Sequence, residues 1–228
     1  MCDRARQCLK QSEVIIGYKT YLSLIEHIVG KDQEVISSGM TREVERCEKV
    51  LELAEQGKTV SLISSGDPGV YGMAGVMYQA LHQRGVDIPI EVVPGISAAN
   101  AAAASLGAPL MHDYVCISLS DLLTPWSTIL KRVKCAAQGD FVIALYNPKS
   151  KQRTKHIEEV RRLLMETLEE DRPVGIVRNA KRGEEEVIIS NLKDFTGCEI
   201  DMFTTVIIGN SQSYVKYGKF ITPRGYQL

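Results

Sequence analysis

Ser61-Leu62-Ile63-Ser64-Ser65-Gly66-Asp67-Pro68-Gly69-Val70-Tyr71-Gly72 is an apolar β-type run that stops in a turn of Gly, Asp and Pro. A helix-like segment rich in small residues follows. That order predicts a tight loop, poor in side chains, at the carboxyl end of a parallel strand, where open α/β sheets place their ligands. Glycine lets a ligand approach the backbone, and the helix start offers unpaired N–H groups. Asp67 can accept hydrogen bonds from a hydroxyl or an amine. An ordinary strand-to-helix turn would use the same residue types. Gly66, Gly69, Gly72 and Gly75 do not fit G-x-G-x-x-G, and no G-x-x-x-x-G-K-[ST] is present, so dinucleotide and P-loop sites are not supported.

Working outward, strands and helices alternate. Val14 to Ile16 is a short strand ending at Gly17. A helix capped by Thr41 carries Val44, Cys47, Val50, Leu51 and Ala54 near the helical period, and Gly57 closes it. Met73 to Arg84 is a helix closed by Gly85. Ile90 to Val93 has strand composition and halts at Pro94-Gly95, and an Ala-rich helix runs from Ser97 to Leu106. Strand, turn and helix in repetition predict a parallel sheet covered by helices. The character changes after Gly107-Ala108-Pro109, which places a domain boundary near His112: residues 1–112 form one α/β domain and residues 113–228 a second. In the second, strands are expected at Val115 to Leu119, Phe141 to Tyr146, Val174 to Val177, Val187 to Ile189 and Thr204 to Ile208. Helices are expected at Pro125 to Ala137 and Ile157 to Leu168. Its consecutive late strands predict a mixed sheet.

The 228 residues are 44% apolar and 24% charged, which permits a sizeable core. A formal net charge of −1 gives no electrostatic case for duplex nucleic acid. The apolar stretch from Ile96 to Met111 is too short and too polar to span a bilayer, and no signal peptide is visible, so the expected compartment is the cytoplasm. The six cysteines form no C-x-x-C pair and are expected as buried thiols. The four histidines match no metal spacing, so no metal is expected.

Four further segments carry candidate chemistry. Val92-Val93-Pro94-Gly95-Ile96-Ser97-Ala98-Ala99 repeats the strand, tight turn and helix start, with Ser97 as N-cap. Ile117-Ser118-Leu119-Ser120-Asp121-Leu122-Leu123-Thr124-Pro125-Trp126 holds the only tryptophan in a polar turn, where Asp121 or Thr124 would cap the next helix. Leu145-Tyr146-Asn147-Pro148-Lys149-Ser150 opens from a strand end into a basic run with Lys151, Arg153 and Lys155. Val177-Arg178-Asn179-Ala180-Lys181-Arg182 ends another strand in the same way. Such runs are usually solvated faces, but a polyanionic substrate would give them a purpose. No G-x-S-x-G elbow or Cys/His pairing supports covalent catalysis, which favours a reaction with a pre-activated donor.

Together, Ser65-Gly66-Asp67-Pro68, Pro94-Gly95-Ile96-Ser97-Ala98, Tyr146-Asn147-Pro148 and Val177-Arg178-Asn179 resemble the tetrapyrrole methyltransferases. The Ser118 to Trp126 run, Ile16-Gly17-Tyr18-Lys19-Thr20-Tyr21, Tyr71-Gly72-Met73-Ala74-Gly75 and Thr222-Pro223-Arg224-Gly225-Tyr226 resemble the branch that methylates C17 of precorrin-3B or cobalt-precorrin-3 in cobalamin biosynthesis. The resemblance implies two α/β domains with S-adenosylmethionine in the cleft between them, a tetrapyrrole substrate, no nucleic acid or membrane partner, and a homodimer. It implies cofactor contacts from Ser65, Gly66, Asp67, Val70, Ser97, Ala98, Asn147 and Ala180. C17 methylation in this branch is coupled to ring contraction, for which Asp121, Tyr71 and His112 are the acid–base candidates. Lys149, Arg153, Arg178 and Arg224 are candidates for the substrate carboxylates. Relatives open with a short apolar strand and a G-x-G-P-G loop, and this chain starts at the helix that should follow, so the first strand is expected to be missing. The alternatives are a sibling enzyme acting at another ring position, or a truncated cofactor-binding form without catalysis.

Overall fold

A computed structural model describes residues 1–39 and 41–227. The chain divides into two compact units, Met1–Ser97 and Ala98–Leu228, ahead of the boundary expected near His112. The reason is the Ala-rich helix. Its Ala99, Ala102, Ala103 and Leu106 pack with Val142, Ala144, Val177 and Ile207 of the later strands, so it belongs with them.

In the first unit, the helix Asp3–Gln11 (α1) leads into the strand Val14–Tyr18 (β1), then the short helix Lys19–Ser23 (α2) and the strand Glu34–Ser38 (β2). The helix Glu43–Glu55 (α3), the strand Val60–Leu62 (β3) and the helix Ala74–Arg84 (α4) follow. The sheet order is β2-β1-β3, all parallel, with Val14, Ile15 and Ile16 at the centre of a ladder to both neighbours. Apolar spacing decides which helical faces turn inward. Cys47 and Leu51 of α3 meet Met77 and Ala80 of α4 in one cluster, while Leu53 joins Val14 and Ile16 in another. Burial drives the Cys47 thiol up to about 11. Both closing glycines are left-handed: Gly57 (φ 83°) after α3 and Gly85 (φ 70°) after α4. The strand expected at Ile90 to Val93 forms no ladder and no regular element. Strand composition needs a hydrogen-bonding neighbour, and the described residues supply none. The segment is tethered instead by the Arg4 guanidinium, which donates to both oxygens of Glu91, once at 2.7 Å.

The second unit opens with the helix Ala98–Leu106 (α5) and the short strand Gly107–Ala108 (β4). Next come the strand Tyr114–Ser118 (β5), the helix Trp126–Gln138 (α6), the strand Val142–Tyr146 (β6) and the helix His156–Leu164 (α7). The strands Pro173–Arg178 (β7), Glu186–Asn191 (β8) and Thr204–Ile208 (β9) complete a five-stranded mixed sheet of order β5-β6-β9-β7-β8. The strands Tyr214–Lys216 (β10) and Lys219–Ile221 (β11) form a hairpin that pairs with β4. β6 and β9 are central and buried along almost their whole length, with β9 opening on two buried threonines, Thr204 and Thr205, ahead of Val206 to Ile208. Ile157, Val160 and Leu164 seat α7 on one face, and α5 covers the other. Gly175 of β7 gives α5 its close approach, since a Cβ there would lie 2.3 Å from Leu106.

All six thiols are free, and only Cys47 is fully buried. Cys8, Cys116 and Cys198 are half-buried, and Cys2 and Cys135 are exposed, against the expectation of buried thiols. Among the described residues no helix is long and apolar enough to cross a membrane.

Candidate functional site

In the first unit, the chain leaving β3 turns at once. Gly66 adopts φ 71°, and Tyr71 adopts φ 54°, a left-handed value costly for an aromatic residue. Asp67 organises the loop. Its Oδ1 accepts the Gly69 N–H at 2.8 Å and its Oδ2 the Gly95 N–H at 2.9 Å. One carboxylate therefore staples two turns that are far apart in sequence. Glycine is required at the junction, because a Cβ on Gly95 would stand 2.0 Å from the Gly66 carbonyl oxygen. A Cβ on Gly72 would meet the Pro68 carbonyl at 2.5 Å, and the Ser64 hydroxyl accepts the Met73 N–H ahead of α4. The result is a compact surface of backbone, with Gly66, Gly69 and Val70 exposed. An ionised carboxylate has more acceptor sites than the two used here, so Asp67 keeps capacity for a further donor.

In the second unit, β5, β6 and β7 run parallel to one another, so their carboxyl ends share one edge of the sheet. Asn147, just past β6, and Asn179, just past β7, both hold φ 52°, a conformation asparagine tolerates better than most residues. Asn147 Nδ2 donates to Ser118 Oγ at the end of β5 (3.0 Å). Arg153 Nη1 donates to the carbonyls of Leu119 (2.8 Å) and Asn147 (3.1 Å), and its Nε lies 3.9 Å from Asp121. Asp121 Oδ2 is 2.9 Å from His156 Nε2, a bond that leads the causes holding the Asp121 carboxyl below the usual carboxylate range. The Trp126 ring lies 4.2 Å from the His156 ring, and its indole N–H donates to Glu159 at 2.9 Å. At β7, Arg178 pairs with Asp201 (2.8 Å) and Glu186 (3.1 Å). Burial pushes the Asp201 carboxyl up, but Arg178, the Phe203 N–H and Thr204 together hold it lower than usual. The Tyr146 hydroxyl accepts the Ala99 N–H at the start of α5 (2.9 Å).

A family model described as Tetrapyrrole (Corrin/Porphyrin) Methylases matches residues 1–196. This chain belongs to the tetrapyrrole methylases. The cobalt-factor III methyltransferase of Priestia megaterium is 52% identical over 229 residues, covering 99% of this chain. The chain spans 42% of the length of that relative. A probable cobalt-factor III C(17)-methyltransferase of Salmonella typhimurium is 46% identical over 228 residues, covering all of this chain and 94% of that protein. Among solved structures, the methyltransferase CobJ superposes with a TM-score of 0.92 at 34% identity, covering 98% of this chain and 93% of that one. The two α/β units are thus those of a tetrapyrrole methylase.

Set against this family, the residues expected from sequence fall into three groups. Ser65, Gly66, Asp67 and Val70 lie on the stapled loop, and Ser97 and Ala98 follow the second glycine turn. Asn147 lies at the carboxyl edge, and Ala180 lies between the left-handed Asn179 and Lys181, half-buried against the α5 side of the sheet. Asp121 does not cap α6; the helix starts after Pro125 with no side-chain cap, because Asp121 turns to His156. His112 precedes β5, at the opposite end of that strand from Asp121, and its Nδ1 accepts the Asp113 N–H. Of the basic candidates, Arg153 and Arg178 are engaged internally, whereas Lys149 and Arg224 form no ion pair among the described residues. His156 and Glu159 were not foreseen. The Asp121–His156 pair spans 35 residues of sequence and leaves no local spacing to detect.

Proposed function

We propose that this chain transfers the methyl group of S-adenosylmethionine to C17 of a cobalt-factor III or precorrin-3B macrocycle, coupled to contraction of the ring, in cobalamin biosynthesis. The observation that carries the reading is the 46% identity to the Salmonella typhimurium protein across nearly the full length of both chains. Ser65, Gly66, Asp67, Val70, Ser97, Ala98, Asn147 and Ala180 are the proposed cofactor contacts. The stapled loop fits such a ligand, because exposed glycines at 66 and 69 leave main chain accessible while Asp67 holds the turn in place. When bound, the sulfonium supplies an already activated methyl group, so no protein nucleophile is required.

The protein's own residues then bind, align and manage protons. Alignment of a carbon nucleophile with the donor is worth roughly 7–11 kcal/mol when the geometry is held. The Asp67 staple and the Arg153 bridge provide that rigidity, each fixing more than one loop segment. Ring contraction moves protons, and Asp121 beside His156 is the acid–base candidate with a partner in place. Tyr71 is retained for its strained backbone on the first loop, and His112 is the weakest of the three because it precedes β5. Lys149 and Arg224 remain the cations suited to substrate carboxylates, whereas Arg153 and Arg178 hold protein groups. The working form is proposed to be a cytoplasmic homodimer.

Incubation with cobalt-factor III and S-adenosylmethionine carrying a labelled methyl group tests the reading. The expected product is ring-contracted with the label on C17 by NMR. A label at another ring carbon would assign the chain to a sibling activity, and no incorporation would refute the proposal.

A further inference from the structure

Leu122 and Leu123 are 71% and 93% exposed, on a loop whose other residues are tightly placed. Bare leucines on a mobile tip would need no explanation, but this tip is fixed at both ends. On the entering side, the Ser120 N–H donates to Ser118 Oγ, and Asp121 is held by His156 at 2.9 Å with Arg153 beside it. On the leaving side, Trp126 donates to Glu159 and packs at a tilt against the same His156 ring. Both anchors therefore converge on the first turn of α7, and the two leucines project between them.

The geometry points to this Leu122–Leu123 loop as a fixed apolar platform for the flat macrocycle of the tetrapyrrole substrate, with Lys149, Lys151 and Lys155 serving the carboxylates around its rim. The inference rests on the methyltransferase reading and names a substrate subsite within it. Three observations select this occupant. The platform is wired to the proposed cofactor residue Asn147, since Ser118 bonds its side chain and Arg153 bonds its carbonyl and that of Leu119. The neighbouring segment supplies cations that form no ion pair among the described residues, and exposed Lys151 and Lys155 complement a polycarboxylate. The area is also wrong for a second copy of the chain. Two leucines alone fall well short of the roughly 800 Å² per partner of a stable protein interface. A flat ring laid against two fixed side chains requires no more than they offer.

Trp126 is the chain's only tryptophan and ends the loop, so its fluorescence reports occupancy. Cobalt-factor III should quench it saturably in the wild type. The Leu122→Ser/Leu123→Ser double variant should raise the apparent Kd about tenfold or more. Binding of S-adenosylhomocysteine by calorimetry and the melting temperature should not change, because neither leucine supports the core. The Leu122→Met/Leu123→Met variant should bind like the wild type. An unchanged Kd in the serine variant, or a methionine variant as weak as the serine one, would overturn the platform while leaving the methyltransferase reading intact. A shift in sedimentation of the serine variant would assign the surface to a second copy and overturn it too. A wild type that binds no S-adenosylhomocysteine would sink the methyltransferase reading, and the platform with it.

Discussion

The Asp67 loop in the first unit and the Asp121 edge in the second solve opposite problems. Asp67 spends its carboxylate on two backbone N–H groups, and the surface it fixes is made of glycine and main chain. Asp121 sets its carboxylate against side chains, a histidine and an arginine, and the surface it fixes carries ring, cation and leucine groups. The first suits recognition by shape, where nothing must change during the reaction. The second suits groups that attract charge and handle protons. The supporting cores differ in the same sense. The first unit divides its buried residues among small clusters around a three-stranded sheet. The second packs its five strands between two clusters, one on each face of the sheet, the larger running from Ile117 to Ile208.

The contrast is broken most severely at Gly95. Gly95→Ala forces a methyl group to within 2.0 Å of the Gly66 carbonyl, so the two turns must separate. The expected cost is at least the 1–3 kcal/mol of an overpacked site, with loss of S-adenosylhomocysteine binding by calorimetry. Gly75→Ala is the matched control: it lies inside α4 with nothing within 4 Å of the added Cβ. It should be neutral or stabilising by up to about 1 kcal/mol. Equal binding losses in both variants would show that shape at the loop junction is not what matters. Next in size is Asp67→Asn, which turns one acceptor into a donor facing a backbone N–H. The expected loss is about 1–3 kcal/mol, read as a lower melting temperature together with weaker cofactor binding. The corresponding change at the second edge, Asp121→Asn, should leave cofactor binding intact and slow turnover. If Asp121→Asn also abolished cofactor binding, the division of labour between the two carboxylates would fail.

The same contrast governs what sequence reveals. The apolar runs of β6 and β9 are legible because a strand buried on both faces needs no polar alternation, and Thr204 to Ile208 coincides with the observed strand. Gly85 is legible because a left-handed helix end demands it. The Gly66-Asp67-Pro68 turn is legible as a loop, but its staple to Gly95 is a tertiary fact. Ile90 to Val93 has strand composition without strand structure, because pairing depends on a neighbour and not on the segment itself. Glu34–Ser38 is the reverse: a strand with most residues exposed and no apolar run to announce it. The charged residues are the least legible. Arg153 and Arg178 look like ligands for an anion in the linear chain, yet the fold gives them carbonyls and carboxylates of their own.

The finest test of the comparison is the titration of Asp121. Its carboxyl is held low by the His156 hydrogen bond first, with Arg153 as a smaller contributor. A depressed carboxyl stabilises the fold above its unfolded pKa, and that contribution disappears as the pH falls through the folded value. The contribution is small, because the Asp121 side chain is 37% exposed and solvent screens the pair. His156→Gln should therefore barely move the melting temperature at neutral pH, and any difference from wild type should vanish on acidification below the carboxylate range. The Asp121 midpoint, followed by carboxyl-carbon NMR, should rise toward the ordinary aspartate value, since glutamine carries no charge and offers a weaker bond. In the first unit the variant should change nothing, and S-adenosylhomocysteine affinity should be that of the wild type. A midpoint that stays depressed would mean that Arg153 and the local backbone hold Asp121 unaided. His156 would then be a packing partner for Trp126 and not the group that sets the charge at this edge.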